Sequence, residues 1–89
     1  GGNRYAMSQC DKMKEKILRR PTANNISPKE LQSFLEHYGF VLKRVRGSHY
    51  MYAYKDKQHV ALTIPMHMPV KPAYIDQIRE MILEIEEEA

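Results

Sequence analysis

Along the first half of the chain, apolar residues recur every three or four positions. In CDKMKEKILRRP, the spacing of Met13, Ile17 and Leu18 between a capping Asp11 or Ser8 and the breaker Pro21 predicts a short amphipathic helix over 11–20. The segment TANNIS reads as a loop. A second helix then has a full start signal: Ser27 caps, Pro28 fits the first helical position, and Glu30 completes a capping box. Leu31, Phe34, Leu35 and Tyr38 form its apolar stripe, and Gly39 ends it. His37, in its last turn, suits the helix dipole or solvent.

From Phe40 the period shortens. FVLKRV reads as a strand, Gly47 permits a turn, SHYMYAY is a second strand, KDKQ a polar hairpin connection, and HVALTI a third strand. In the third, Val60, Leu62 and Ile64 share one face, and His59, Ala61 and Thr63 the other. In the second, both alternating sets carry large apolar groups, so periodicity does not tell which set faces the helices. His49 goes with Met51. The three prolines of PMHMPVKP make a loop, because proline lacks a ladder donor and restricts the residue before it. Pro72 opens a last helix with Ile75, Ile78, Ile82 and Ile85 in one stripe. Its tail EIEEEA places acids where the dipole disfavours them, so that end is expected to fray or to need a basic partner.

The order is α-α-β-β-β-α, an α+β class in which amphipathic helices cover one face of a three-stranded antiparallel sheet and leave the other open. Eighty-nine residues suffice for one small domain, expected over 7–89 with its core at 27–85. GGNRYA at 1–6 precedes Met7 and is expected to be an expression remnant. One cysteine, Cys10, excludes an internal disulfide and fits a reducing compartment, the cytoplasm. No apolar run approaches a membrane span, and the first residues lack a basic region followed by a long apolar stretch, so a soluble, unexported protein is expected.

The net charge of +3 is unevenly placed. Residues 1–75 hold 13 Lys and Arg against 5 Asp and Glu, and residues 76–89 hold 1 against 6. A basic body of +8 suits a polyanion, since each neutralised phosphate releases counterions. Within it, KRVRGSHYMYAY brings the cations Lys43, Arg44 and Arg46 to a glycine turn and an imidazole. Free imidazole titrates near pH 6.5 and so can both take and give a proton near neutrality. Gly47 lets the backbone approach a phosphate, Ser48 can donate a hydrogen bond, and the cations can balance a phosphorane-like transition state. For RNA cleavage the substrate carries its own nucleophile, the ribose 2′-hydroxyl, so one histidine suffices. The plain alternative makes Gly47 a hairpin residue and His49 a solvated strand residue. No HExxH, CxxC or Gly-rich phosphate loop is present, so neither a metal nor a cofactor is expected. Ser48 and His49 are strand neighbours pointing to opposite faces, which disfavours a serine nucleophile.

The stretches ISPKELQSFLEHYGFVLKRVRGSHYMYAY, VALTIPMH and VKPAYIDQIREMI resemble the HicA-type toxins of prokaryotic toxin–antitoxin modules. Three signatures occur in order: Gly39-Phe40 after the helix, Gly47-Ser48-His49 entering the second strand, and Pro65-Met66-His67 after the third. The resemblance spans about residues 26–82, and the helix at 11–20 is similar to that of longer members. It implies a fold like the double-stranded RNA-binding domain, ribosome-independent endoribonuclease action on mRNA, and a HicB-type antitoxin that covers the toxin. By the same resemblance His49 is catalytic and His67 supports the site or contacts RNA. The position between Pro65 and His67 is often basic in such proteins, but here it is Met66, so one phosphate contact is either missing or supplied by Lys71. With Lys43, Arg44 and Arg46, Lys71 is expected to hold the RNA backbone. The competing class is a basic RNA-binding module that does not cut.

Overall fold

The computed structural model describes residues 8–87; the remnant expected at 1–6 lies outside the described residues. The order is α1 (Gln9–Leu18), α2 (Pro28–Tyr38), β1 (Phe40–Arg46), β2 (His49–Tyr54), β3 (Lys57–Pro65) and α3 (Pro72–Glu87), the α+β order expected from the sequence. The strands form one antiparallel sheet with β2 in the middle.

Between Ser8 and Asp11, it is Ser8 that caps α1. The Asp11 amide donates to the Ser8 hydroxyl, and the Asp11 carboxylate accepts from the Ser8 amide. Asp11 is thereby the third helical residue, so the helix begins two residues before the expected 11 and ends at Leu18 rather than 20. Ser27 and Glu30 form the expected box on α2, at 3.0 and 3.1 Å. Gly39 terminates α2 at φ +125°, and a β-carbon there would stand 3.0 Å from the Tyr54 ring. The helix therefore turns into β1 at a place where both conformation and space require glycine. The hairpin joining β2 to β3 is tighter than KDKQ suggested: Lys55 and Asp56 alone turn it, and β3 starts at Lys57.

The burial pattern settles the faces of β2. Tyr52 is fully buried with Leu62 and Ile64 beside it in the core, and Tyr50 and Tyr54 pack against that core. Alternation puts His49, Met51 and Ala53 on the opposite face, which is open: His49 and its neighbours Arg44, Arg46, Ala61 and Thr63 are exposed, and only the small Ala53, between Val41 and Ala61, is buried there. Beneath the sheet, Phe34, Leu35, Ile75, Ile78 and Ile82 close the core, and Ile17 brings α1 into it.

Arg79 is a buried cation inside the isoleucine stripe, 3% exposed. Its guanidinium donates to the Ile17 carbonyl at 3.2 Å and to the Thr22 hydroxyl at 2.7 Å, and pairs with Asp76 at 2.9 Å. A buried charge so fully partnered ties the end of α1 and its following loop to α3. A further tie joins Val70 N to Ile26 O at 2.8 Å. The acidic end of α3 is helical as far as Glu87. Glu86 finds the basic partner the tail called for within the chain, since it pairs with Lys14 of α1 and accepts from the Tyr38 hydroxyl. No helix among the described residues is long and apolar enough to cross a membrane.

Candidate active site on the open sheet face

Gly47 and Ser48 form the two-residue turn between β1 and β2. Gly47 has φ +60°, the left-handed region, but among the described residues none beyond its two chain neighbours comes within 4 Å of where its β-carbon would be. The turn therefore needs glycine for its backbone and leaves open space above it. His49 begins the central strand, with Arg46 opposite in β1 and Pro65 opposite in β3. The next row on the same face is Arg44, Met51 and Thr63. Arg44, Arg46, His49, Met51 and Thr63 line one shallow groove, and no carboxylate is among them.

Two arginines reach this face because β1 contains a bulge. Pairing runs regularly from Phe40 opposite Tyr54 to Leu42 opposite Tyr52, then skips Lys43 and resumes with Arg44 opposite Met51. With no bulge, strict alternation would set Lys43 against Met51, Arg44 against Tyr50 and Val45 against His49, turning both guanidiniums toward the helices. The bulge keeps Leu42 and Val45 on the helix side and Arg44 and Arg46 on the open side. Reading FVLKRV as a plain strand missed it. The available signal was the three-residue spacing from Leu42 to Val45, where an unbroken strand would show two.

The third signature folds against the second. The Met66 amide donates to the Ser48 carbonyl at 2.7 Å, the His67 amide donates to the Pro65 carbonyl at 3.0 Å, and His67 Nε2 lies 3.5 Å from Ser48 Oγ. His67 thus meets the turn through Ser48 and does not line the groove with His49. Lys43 is the extra bulge residue and also lies outside that lining. Lys71 precedes α3, where its carbonyl accepts from Tyr74 and Ile75. Of the sequence-derived candidates, then, Arg44, Arg46 and His49 share one groove, Gly47 and Ser48 form its end, His67 stands behind Ser48, and Lys43 and Lys71 stand apart.

The family model described as the HicA toxin of bacterial toxin-antitoxin matches residues 28–85, from the first residue of α2 to near the end of α3. The chain belongs to the HicA toxin family. No curated protein and no solved structure matches it at a significant level. As a HicA toxin it is the toxic half of a toxin–antitoxin pair, and its counterpart is an antitoxin. All three sequence signatures of the HicA resemblance fall inside the matched span, and α1 precedes it.

In this HicA toxin the groove can do two things chemically. Guanidinium groups hold phosphate through paired N–H donors and keep their charge at any physiological pH. An exposed imidazole beside them can exchange a proton with whatever those donors hold. Among the described residues, no three His, Cys, Asp or Glu side chains gather as metal ligands would.

Proposed function

We propose that the protein is an endoribonuclease that cleaves mRNA without the ribosome and without a metal, using His49 as its catalytic residue. The observation that carries this reading is the shared groove of His49, Arg44 and Arg46 on the uncovered sheet face, free of lining carboxylates. A phosphodiester held by the arginines places its ribose beside the imidazole. The 2′-oxygen attacks phosphorus and loses its proton, and the bond from phosphorus to the 5′-oxygen breaks as that oxygen gains one. The products are a 2′,3′-cyclic phosphate and a free 5′-hydroxyl. His49 serves as base toward the 2′-hydroxyl or as acid toward the leaving oxygen. A rate that rises with pH marks the base, because free imidazole is then required, and a rate that falls marks the acid.

Gly47 and Ser48 bring the backbone to the phosphate, His67 supports Ser48, and Lys43 and Lys71 add longer-range attraction for the RNA strand. A HicB-type antitoxin silences the toxin by covering this cationic face, and the pair acts in the cytoplasm. One domain over 7–89 carries the activity, with α1 as an added brace.

The deciding experiment incubates purified protein with RNA in the presence of chelator, wild type beside His49→Ala. The variant is expected to lose about 10²- to 10⁴-fold in cleavage rate while retaining RNA affinity and its salt dependence. Wild-type protein that binds RNA but leaves it intact establishes the non-cutting binding module in its place.

A further inference from the structure

Two groove residues neither neutralise phosphate nor act as acid or base near neutral pH. Met51 lies two residues along β2 from His49 on the same face, flanked by Arg44 in β1 and Thr63 in β3. Two residues of antiparallel strand span about 7 Å, the scale of a single nucleotide step. The row beyond consists of Val41, Ala53 and Ala61, so no tall side chain walls the groove on that side. Among the described residues the Thr63 hydroxyl has no hydrogen-bond partner, and Thr63 is exposed.

We propose that Arg44, Met51 and Thr63 form a nucleobase subsite for the nucleotide adjoining the cleaved bond, with the Thr63 hydroxyl selecting the base. This rests on the ribonuclease reading above. The Met51 thioether gives a polarisable, apolar floor suited to the face of an aromatic ring. Stacking of that kind tolerates any base, and so does the pull of Arg44 on the backbone. Selection requires a group that reads a base edge. The Thr63 hydroxyl, able to donate one hydrogen bond and accept others, is such a group in this row. The occupant is RNA rather than an apolar peptide, because the floor is continuous with His49 and is rimmed by two guanidiniums with no lining acid.

The test maps cleavage sites on an RNA with randomised positions for the parent, Thr63→Val, Thr63→Ser and Met51→Ala. The parent is expected to favour one base at one position beside the cut. Thr63→Val should weaken that preference roughly three- to tenfold, the worth of a single hydrogen bond, and Thr63→Ser should restore it. Met51→Ala should raise KM more than it lowers kcat. In parallel, His49→Ala and the double variant His49→Ala/Thr63→Val are titrated with short single-stranded oligonucleotides differing in one base, which reads the subsite without cleavage. Base-selective binding that disappears in the double variant supports the subsite. Cleavage with the same preference in Thr63→Val as in the parent overturns the subsite and leaves the ribonuclease reading standing. RNA left uncut by the parent overturns that reading, and equal affinity for all four oligonucleotides overturns the subsite independently of it.

Discussion

The amide of Met66 donates to the carbonyl of Ser48 at 2.7 Å, so a backbone bond ties the segment bearing His67 to the turn that leads into His49. Removing the His67 side chain leaves that tie intact and takes away only its approach to the Ser48 hydroxyl. His67→Ala is therefore expected to fold normally and to lose less than about tenfold in cleavage, against the 10²- to 10⁴-fold loss expected for His49→Ala. Single-turnover rates on one defined RNA measure both. Equal losses would place His67 at the reacting phosphate.

Arg44 and Arg46 share the His49 face, and Lys43 occupies the bulge. Each of Arg44→Gln and Arg46→Gln should weaken RNA binding and reduce the slope of log affinity against log salt by about 0.7, the value for one lost contact to a single strand. Lys43→Gln should change the slope less. Affinities for one single-stranded RNA at several salt concentrations give the three slopes directly.

The two positive-φ glycines differ in what surrounds them. At Gly47 an alanine meets only conformational strain, expected to cost about 1 kcal/mol, and asparagine less. At Gly39 the β-carbon would also press on Tyr54 and Lys55, so Gly39→Ala should cost about 3 kcal/mol. Urea midpoints for the variants compare them, and equal midpoint shifts would deny the crowding at Gly39.

Stability should fall on the acid side. The Thr22 hydroxyl, then Arg79, hold the Asp76 carboxyl below its ordinary value, and Lys14, then the Tyr38 hydroxyl, do the same for Glu86. Glu30 is likewise lowered by its bonds to Ser27. Such groups bind protons less readily folded than unfolded. Their contribution is whole above the ordinary carboxylate range, near pH 4 to 4.5, and disappears as pH drops through the lower folded values. Melting temperatures between pH 3 and 7 should show this decline, and Glu86→Gln should flatten it.

Tyr52 is buried with a hydroxyl that has no hydrogen-bond partner among the described residues, and burial pushes its pKa up to about 12. The hydroxyl is desolvated without compensation, so Tyr52→Phe is expected to be neutral or to stabilise by about 1 kcal/mol. A clear destabilisation in urea would mean that the hydroxyl has found a partner.

Elements written in local chemistry were legible in the sequence. Ser27, Pro28, Glu30 and Gly39 fix α2 without reference to anything distant, and the four isoleucines of α3 repeat at helical spacing. What depends on two strands at once was not legible. Both alternating sets in β2 are apolar enough to be buried, and only the helices packed against Tyr52 decide between them. Arg79 carries a charge in a sequence position next to the stripe, and its burial follows from the Ile17 carbonyl and Thr22, which are far away along the chain. The candidate site was legible as far as His49 and its glycine turn. Its arginines were named, but their arrival on the same face depends on the bulge, and Met51 and Thr63 join the groove only through cross-strand pairing.

The unpaired Lys43 also bears on how other members of the family should be aligned with this one. A homologue whose first strand is one residue shorter would present the same surface with its cations numbered one lower from the phenylalanine that starts the strand. Counted backward from the turn glycine, however, the guanidiniums stand first and third, and that count is unchanged by any insertion upstream. The groove arginines are comparable between chains only when measured from the corner, because that is where the parity of the strand is fixed.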